Sequence, residues 1–134
     1  MLTLLLIVAF ADQKDYNGEF PDQHGNQIAI ATIDAGGTVT THAYTSDIDI
    51  RTDDDGVETG RVWIEYDGTK LKVYLDSDGD TKPSSPTLSV DDNIDLSDLF
   101  YGPAVNVGFT AATGSQADFH DVMNWNFRHN CEYY

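Results

Sequence analysis

The stretch that most limits what this chain can fold into is RVWIEYDGTKLKVYL, residues 61–75. Val62, Ile64 and Tyr66 alternate with Arg61, Trp63 and Glu65; after Asp67-Gly68 the alternation resumes, with Leu71, Val73 and Leu75 set between Lys70, Lys72 and Tyr74. A period of two places every second side chain on the same face, as a strand with one buried face requires. Asp-Gly between two such runs supplies the positive φ of a tight turn. The prediction is an antiparallel hairpin of two half-buried strands. An isolated hairpin is marginal in water, so the rest of the chain must extend the sheet or cover its apolar face.

The remaining segments have the same character. Residues 27–33 carry Ile28, Ile30 and, out of phase, Ile33; Asp34-Ala35-Gly36-Gly37 then signals a turn, and 39–44 is rich in β-branched residues. Residues 76–86 are acid-, Gly-, Ser- and Pro-rich and read as a loop, followed by a short strand at Leu88 and Val90. Asp95-Leu96-Ser97-Asp98-Leu99 has room for one helical turn capped by Asp95. Val105, Val107 and Phe109 predict a further strand, Ala111 to Ser115 a small-residue turn, and 119–128 a last strand. There is no sustained helical period, repeat or linker, so a single all-β domain over 1–134 is expected, a sandwich of antiparallel sheets. The apolar run at the start, Leu2 to Phe10, is read either as a core strand or as a short signal-like segment. Ala9-Phe10-Ala11 fits a cleavage rule, but no Lys or Arg precedes it, which favours the strand. It is far too short to span a bilayer.

Charge narrows the partners. Seven Lys and Arg against 23 Asp and Glu leave a formal net charge of −16, with a pI near 4.1 and a mean hydropathy of −0.36. A phosphate backbone is repelled by such a surface, so nucleic acid is not expected as a partner, and neither is a membrane span. The acids fall in short clusters, such as Asp53-Asp54-Asp55 and Asp76-Ser77-Asp78-Gly79-Asp80, which suits solvated loops able to attract a cation. The second cluster lacks the later ligands and bidentate Glu of an EF-hand and reads as a solvated connection. The one cysteine, Cys131, has no partner for an intrachain disulfide.

Four motifs in order resemble the legume-type (L-type) lectin domain. They are the hairpin at 61–75, Ile94-Asp95-Leu96-Ser97, VNVGFTAATG at 105–114 and ADFHDVMNWNF at 117–127. Upstream, Asn17-Gly18-Glu19-Phe20-Pro21-Asp22 and the strand from Asn26 resemble that family's metal loop and the strand after it. The resemblance implies a concanavalin-like jelly roll. It covers the second half of the family's domain, so an incomplete sandwich, poorly stable alone and forming a homo-oligomer through an exposed sheet, is expected.

The same resemblance implies a calcium site. Calcium takes six to eight oxygens, which carboxylates, an amide oxygen and a backbone carbonyl supply, whereas a transition ion prefers an imidazole among its ligands. Matched residue by residue, Asn17 and Asp22 supply side chains and Asp15 its carbonyl, while Asp12 contributes if the strand carries a one-residue insertion. The family's Glu and first Asp fall on Ala11 and Gln13, and its His on Gln27. A transition metal is therefore not expected, and calcium retains a reduced ligand set. The competing reading of 12–26 is an acidic surface loop with no ion, His24 included. For the sugar, the resemblance implies Asn17, held by calcium, together with Ser115, Gln116 and Asp118 after AATG; an ordinary loop is the alternative there.

Two catalytic readings fail on the residues. His120 and Asp121 are adjacent on an alternating segment and point opposite ways, with no nucleophile motif nearby. Glu65 and Asp67 lack the third carboxylate on one strand that jelly-roll glucanases use, because Gly68-Thr69-Lys70 turns the corner. The expectation is a non-enzymatic module, secreted or extracellular, that binds a glycan or glycoprotein with calcium. The alternative is a degenerate lectin-fold scaffold for protein interaction that binds neither sugar nor metal.

Overall fold

The structure, a computed structural model, describes residues 5–11, 27–45, 48, 60–77, 79–91, 106–111 and 121–128. Six strands lie within them, and no helix: β1 (Leu5–Ala11), β2 (Gln27–Ile33), β3 (Val39–Thr45), β4 (Arg61–Tyr66), β5 (Leu71–Asp76) and β6 (Leu88–Val90). They form two three-stranded antiparallel sheets, ordered β1-β2-β3 and β4-β5-β6.

The two sheets share one apolar cluster. Ile28 and Ile30 from β2 meet Leu71 and Val73 from β5 and Leu88 and Val90 from β6, with Val8, Ala43, Ile48, Tyr66 and Leu75 packed around them. The strand period explains the selection: Ile28 and Ile30, or Leu71 and Val73, are two apart and so share a face. The cross-strand partners fit as well, since Val8 and Ala43 both lie opposite Ile30, and Leu88 lies opposite Val73. β2 is the central strand of its sheet and is buried on both faces, Ala29 and Ala31 included. The out-of-phase Ile33 follows a bulge. Ile30 pairs with Ala43 and Ala31 with Thr41, which leaves His42 as the extra residue on β3. The hydroxyl of buried Thr32 is hydrogen-bonded to His42 Nε2 at 2.8 Å, so that polar group is satisfied.

Two of the predicted turns form, each around an aspartate, while the one expected at Ala111 to Ser115 lies almost wholly outside the described residues. Asp34 Oδ1 accepts from the N–H groups of Gly36 and Thr38, both at 2.9 Å, and Gly37 takes a φ of 84°. In the β4–β5 hairpin Tyr66 pairs with Leu71, so the connection is four residues, 67–70, longer than the tightest turn that Asp-Gly allows. Asp67 Oδ1 accepts from Lys70 N at 2.8 Å and from the N–H and hydroxyl of Thr69, both at 3.0 Å; Gly68 supplies a φ of 100°. The N–H of Lys70, followed by that of Thr69 and then its hydroxyl, holds the Asp67 carboxyl below its ordinary range, with the Lys72 charge adding to the effect. A carboxyl lowered in the folded state stabilises fully above its unfolded pKa, and the contribution is lost as pH falls through the folded pKa. The amide resonances of Thr69 and Lys70 are therefore expected to titrate with a midpoint below that of an unstructured peptide, and Asp67→Ala to abolish the titration. A midpoint at the ordinary aspartate value contradicts this account of the turn.

Two expectations need correction. Val62 and Ile64 face the same side as Leu75 and Val73, their cross-strand partners, yet they are 37% and 50% exposed. The reason is position: β4 is the outer strand of its sheet among the described residues, so its apolar side chains have a neighbour on one side only. The second correction concerns the strands expected at 105–109 and 119–128. Among the described residues, 106–111 and 121–128 enter no sheet, and Val107, Phe109, Val122, Met123, Trp125 and Phe127 are exposed. Alternation marks a segment able to pair, but a strand also needs a ladder partner, and none of the described strands supplies one. The two segments meet instead through an edge-to-face contact of Phe109 with Trp125, their ring centres 5.6 Å apart. The expected turn at 95–99 lies outside the described residues.

Candidate functional site

The best-defined part of the expected metal site is its base. β1 and β2 run antiparallel from Leu5 opposite Ile33 to Ala11 opposite Gln27, so the acidic stretch 12–26 leaves and re-enters the sheet at one cross-strand pair. That pair consists of the two positions onto which the metal-loop match places a Glu and a His. The fold therefore brings those positions together, and the sequence has put a methyl group and an amide there. Neither side chain can replace a carboxylate and an imidazole, so this donor set does not fit a transition ion.

Asp12, Asp15, Asn17 and Asp22, the residues expected to supply oxygens, lie outside the described residues, as do Gln13 and His24. Ser115, Gln116 and Asp118 do as well. Among the described residues no group of three or more His, Cys, Asp or Glu side chains is placed to hold a metal ion. In the acidic run after β5, Asp76 Oδ2 accepts from Thr81 N at 3.2 Å, which makes the carboxylate part of the loop's own folding.

One arrangement in the β4–β6 sheet was not foreseen. Tyr74 alternates with Lys70 and Lys72 and reads from sequence as lying on the exposed face, yet it is only 7% exposed. Lys82 Nζ lies 4.2 Å from the centre of its ring and also pairs with Glu65, while Trp63 lies directly across from it on β4. An alternating pattern cannot reveal a lysine that returns from a loop onto a tyrosine face. The only available signal was the isolated Lys82 in an otherwise acidic loop. Glu65 and Asp67, weighed above as glycosidase carboxylates, are respectively an exposed partner of Lys82 and the organiser of a turn.

Comparison with known proteins places this architecture in a family. The model of the legume lectin domain matches residues 4–133. The chain belongs to the legume lectin domain family. Its all-β, antiparallel structure accords with the concanavalin-like jelly roll that membership implies. Among similar proteins of Arabidopsis thaliana, the putative L-type lectin-domain containing receptor kinase I.10 is 32% identical over 116 residues, covering 84% of this chain and 18% of that protein. L-type lectin-domain containing receptor kinase I.7 is 39% identical over 67 residues, covering 50% of this chain and 10% of that protein. The probable receptor kinase I.5 of the same type is 38% identical over 72 residues, 54% of this chain and 10% of that protein. This lectin-domain chain thus spans less than a fifth of the length of these relatives. No solved structure matches it at a significant level. No helix among the described residues is long and apolar enough to cross a membrane.

Proposed function

We propose that this chain is a single carbohydrate-binding lectin domain, spanning 1–134, in which the 12–26 loop presents oxygens to calcium and an amide to a sugar. The observation that carries the reading is the match of the legume lectin model to residues 4–133. The Ala11–Gln27 pairing supports it further, because two positions far apart in sequence meet where the family's metal loop requires them.

Sugar hydroxyls are recognised by acceptors and donors held in fixed directions. Asn17 offers both, and Ser115, Gln116 and Asp118 supply the remaining polar contacts from the loop after Gly114. The donors proposed for calcium are Asp22 and Asn17, the carbonyl of Asp15, and Asp12; all are oxygens, as that ion prefers. When bound, calcium fixes the loop, so that the Asn17 amide is not free to rotate away from a hydroxyl. A transition ion has no part in the proposal, given Ala11 and Gln27. The relatives are named as receptor kinases with a lectin domain, which supports an extracellular setting for this module and a glycan or glycoprotein as its ligand.

A glycan array probed with calcium present, and again after chelation, tests the proposal. Binding to a defined set of glycans that disappears with EDTA and returns with added calcium is expected. Binding indifferent to chelation removes the calcium role while keeping the sugar. No binding under either condition overturns the reading in favour of a scaffold that binds protein, for which the losses at Ala11, Gln13 and Gln27 speak.

A further inference from the structure

We propose that the outer face of the β4–β6 sheet carries a second glycan site, which takes a linear polysaccharide of uronic acids. One sugar ring rests on Trp63 and the carboxylates meet the cations beside it. Strand register fixes the layout of that face. Trp63 lies across from Tyr74, Arg61 across from Asp76 and Glu65 across from Lys72, and all six alternate with the core-facing residues. Lys82 returns from the following loop to within 4.2 Å of the centre of the Tyr74 ring and pairs with Glu65. The aromatic pair is therefore bracketed along the strands, with Arg61 on one side and Lys72 and Lys82 on the other.

Charge sets this face apart. The chain has seven Lys and Arg against 23 Asp and Glu, yet four of the seven, Arg61, Lys70, Lys72 and Lys82, fall within this hairpin and the loop after it. Arg61 and Lys82 are exposed, and Lys72 and Trp63 are partly so. Neither Arg61 nor Lys72 forms an ion pair with a described residue, while Lys82 and Lys72 together offset the Glu65 carboxylate. The cations select an anionic partner, and the indole selects its kind. An aromatic face packs against the C–H surface of a sugar ring. Guanidinium and ammonium groups take carboxylates through charge-assisted hydrogen bonds. Same-face positions along a strand are about 6.7 Å apart, comparable with the repeat of a linear polysaccharide. Neighbouring sugar acids thus reach Arg61 on one side and Lys72 or Lys82 on the other while one ring covers Trp63. The net charge of −16 does not forbid this. At physiological salt the field of exposed charges fades within about 8 Å, so the local patch decides. The site uses no residue of the 12–26 loop and no metal.

Calorimetry and tryptophan fluorescence with oligogalacturonate provide the test, with its methyl ester as the uncharged control and dextran sulfate as a polyanion of different chemistry. EDTA is present throughout, so the calcium reading of 12–26 can fail without touching this result, and the reverse. The acid is expected to bind and to change the fluorescence, and the ester and dextran sulfate to bind at least about tenfold more weakly. Trp63→Phe keeps an aromatic face and is expected to bind like the wild type but without the fluorescence change, since Trp125 is then the one tryptophan left. Replacing Arg61 and Lys72 together by glutamine is expected to weaken binding about tenfold or more, with the urea midpoint unchanged. No binding of the acid in EDTA overturns the proposal. So does equal affinity for the ester or for dextran sulfate, binding indifferent to the loss of Arg61 and Lys72, or a fluorescence change that survives Trp63→Phe.

Discussion

Replacing Val73 with aspartate is expected to unfold the chain under conditions in which Val107→Asp leaves it folded. Val73 has no exposed surface, lies in the middle strand of its sheet between Ile64 and Leu88, and forms part of the cluster shared with Ile28 and Ile30. A carboxylate there loses its hydration among apolar side chains and meets no donor. Burial of a polar group without a partner costs roughly 2–7 kcal/mol, and a charge costs more unless it takes up a proton. Single domains are stable by only about 5–15 kcal/mol, so one such substitution consumes most or all of the margin. Val73→Ala, which removes two carbons and leaves a small cavity, is expected to cost about 2 kcal/mol. Val107 is 47% exposed in an unpaired segment, and its replacement is expected to fall within about 0.5 kcal/mol of neutral. Urea denaturation measures all three. If Val73→Asp and Val107→Asp shift the midpoint equally, the core is not where the packing places it.

Asn17→Ala and Asp22→Ala are expected to have the largest effects on function. The calcium ligands proposed for this chain are already fewer than the family's, because Ala11 and Gln13 stand where two carboxylates are expected. Ligand charge sets calcium affinity, so removing the Asp22 carboxylate from so depleted a set is expected to weaken calcium binding on the order of a hundredfold. Asn17→Ala is expected to weaken calcium less but to abolish glycan binding, because the amide is asked to serve both. Ser115→Ala separates the two functions: calcium binding is expected to persist while glycan affinity falls. Calorimetric titration with calcium, followed by glycan binding at saturating calcium, resolves these outcomes. An Asp22→Ala titration that overlays the wild type removes 12–26 as the calcium loop.

Sequence reasoning succeeded where the determining physics is local. The β4–β5 hairpin, the Asp34 turn and the short strand at Leu88 and Val90 could all be read, because alternation and turn chemistry act over a few residues. It failed where a distant neighbour decides. Val107, Phe109 and Trp125 alternate as well as any strand in the chain, but pairing requires a second strand that no local pattern reports. For the same reason alternation predicted burial for Val62 and Ile64, although an outer strand leaves them half-covered, and predicted exposure for Tyr74, although Lys82 shields its ring. The candidate site was legible in another way. Nothing in the spacing of Asp12, Asp15, Asn17 and Asp22 identifies a ligand set on physical grounds, because loop ligands follow no period. Family resemblance supplied those positions; that Ala11 and Gln27, onto which it places a Glu and a His, lie opposite each other on β1 and β2 is seen in the strand register alone.

Each sheet is assembled from strands that follow one another in the chain, 5–45 for one and 61–90 for the other, so among the described residues no ladder crosses from one set to the other. Their pairings close mainly short stretches of chain, which keeps the entropic cost of loop closure low within each half. Among the described strands, distant stretches are joined where Ile28 and Ile30 meet Leu71, Val73, Leu88 and Val90. Refolding is therefore expected to close the hairpins first, with the docking of the two meanders at their apolar seam as the slower event.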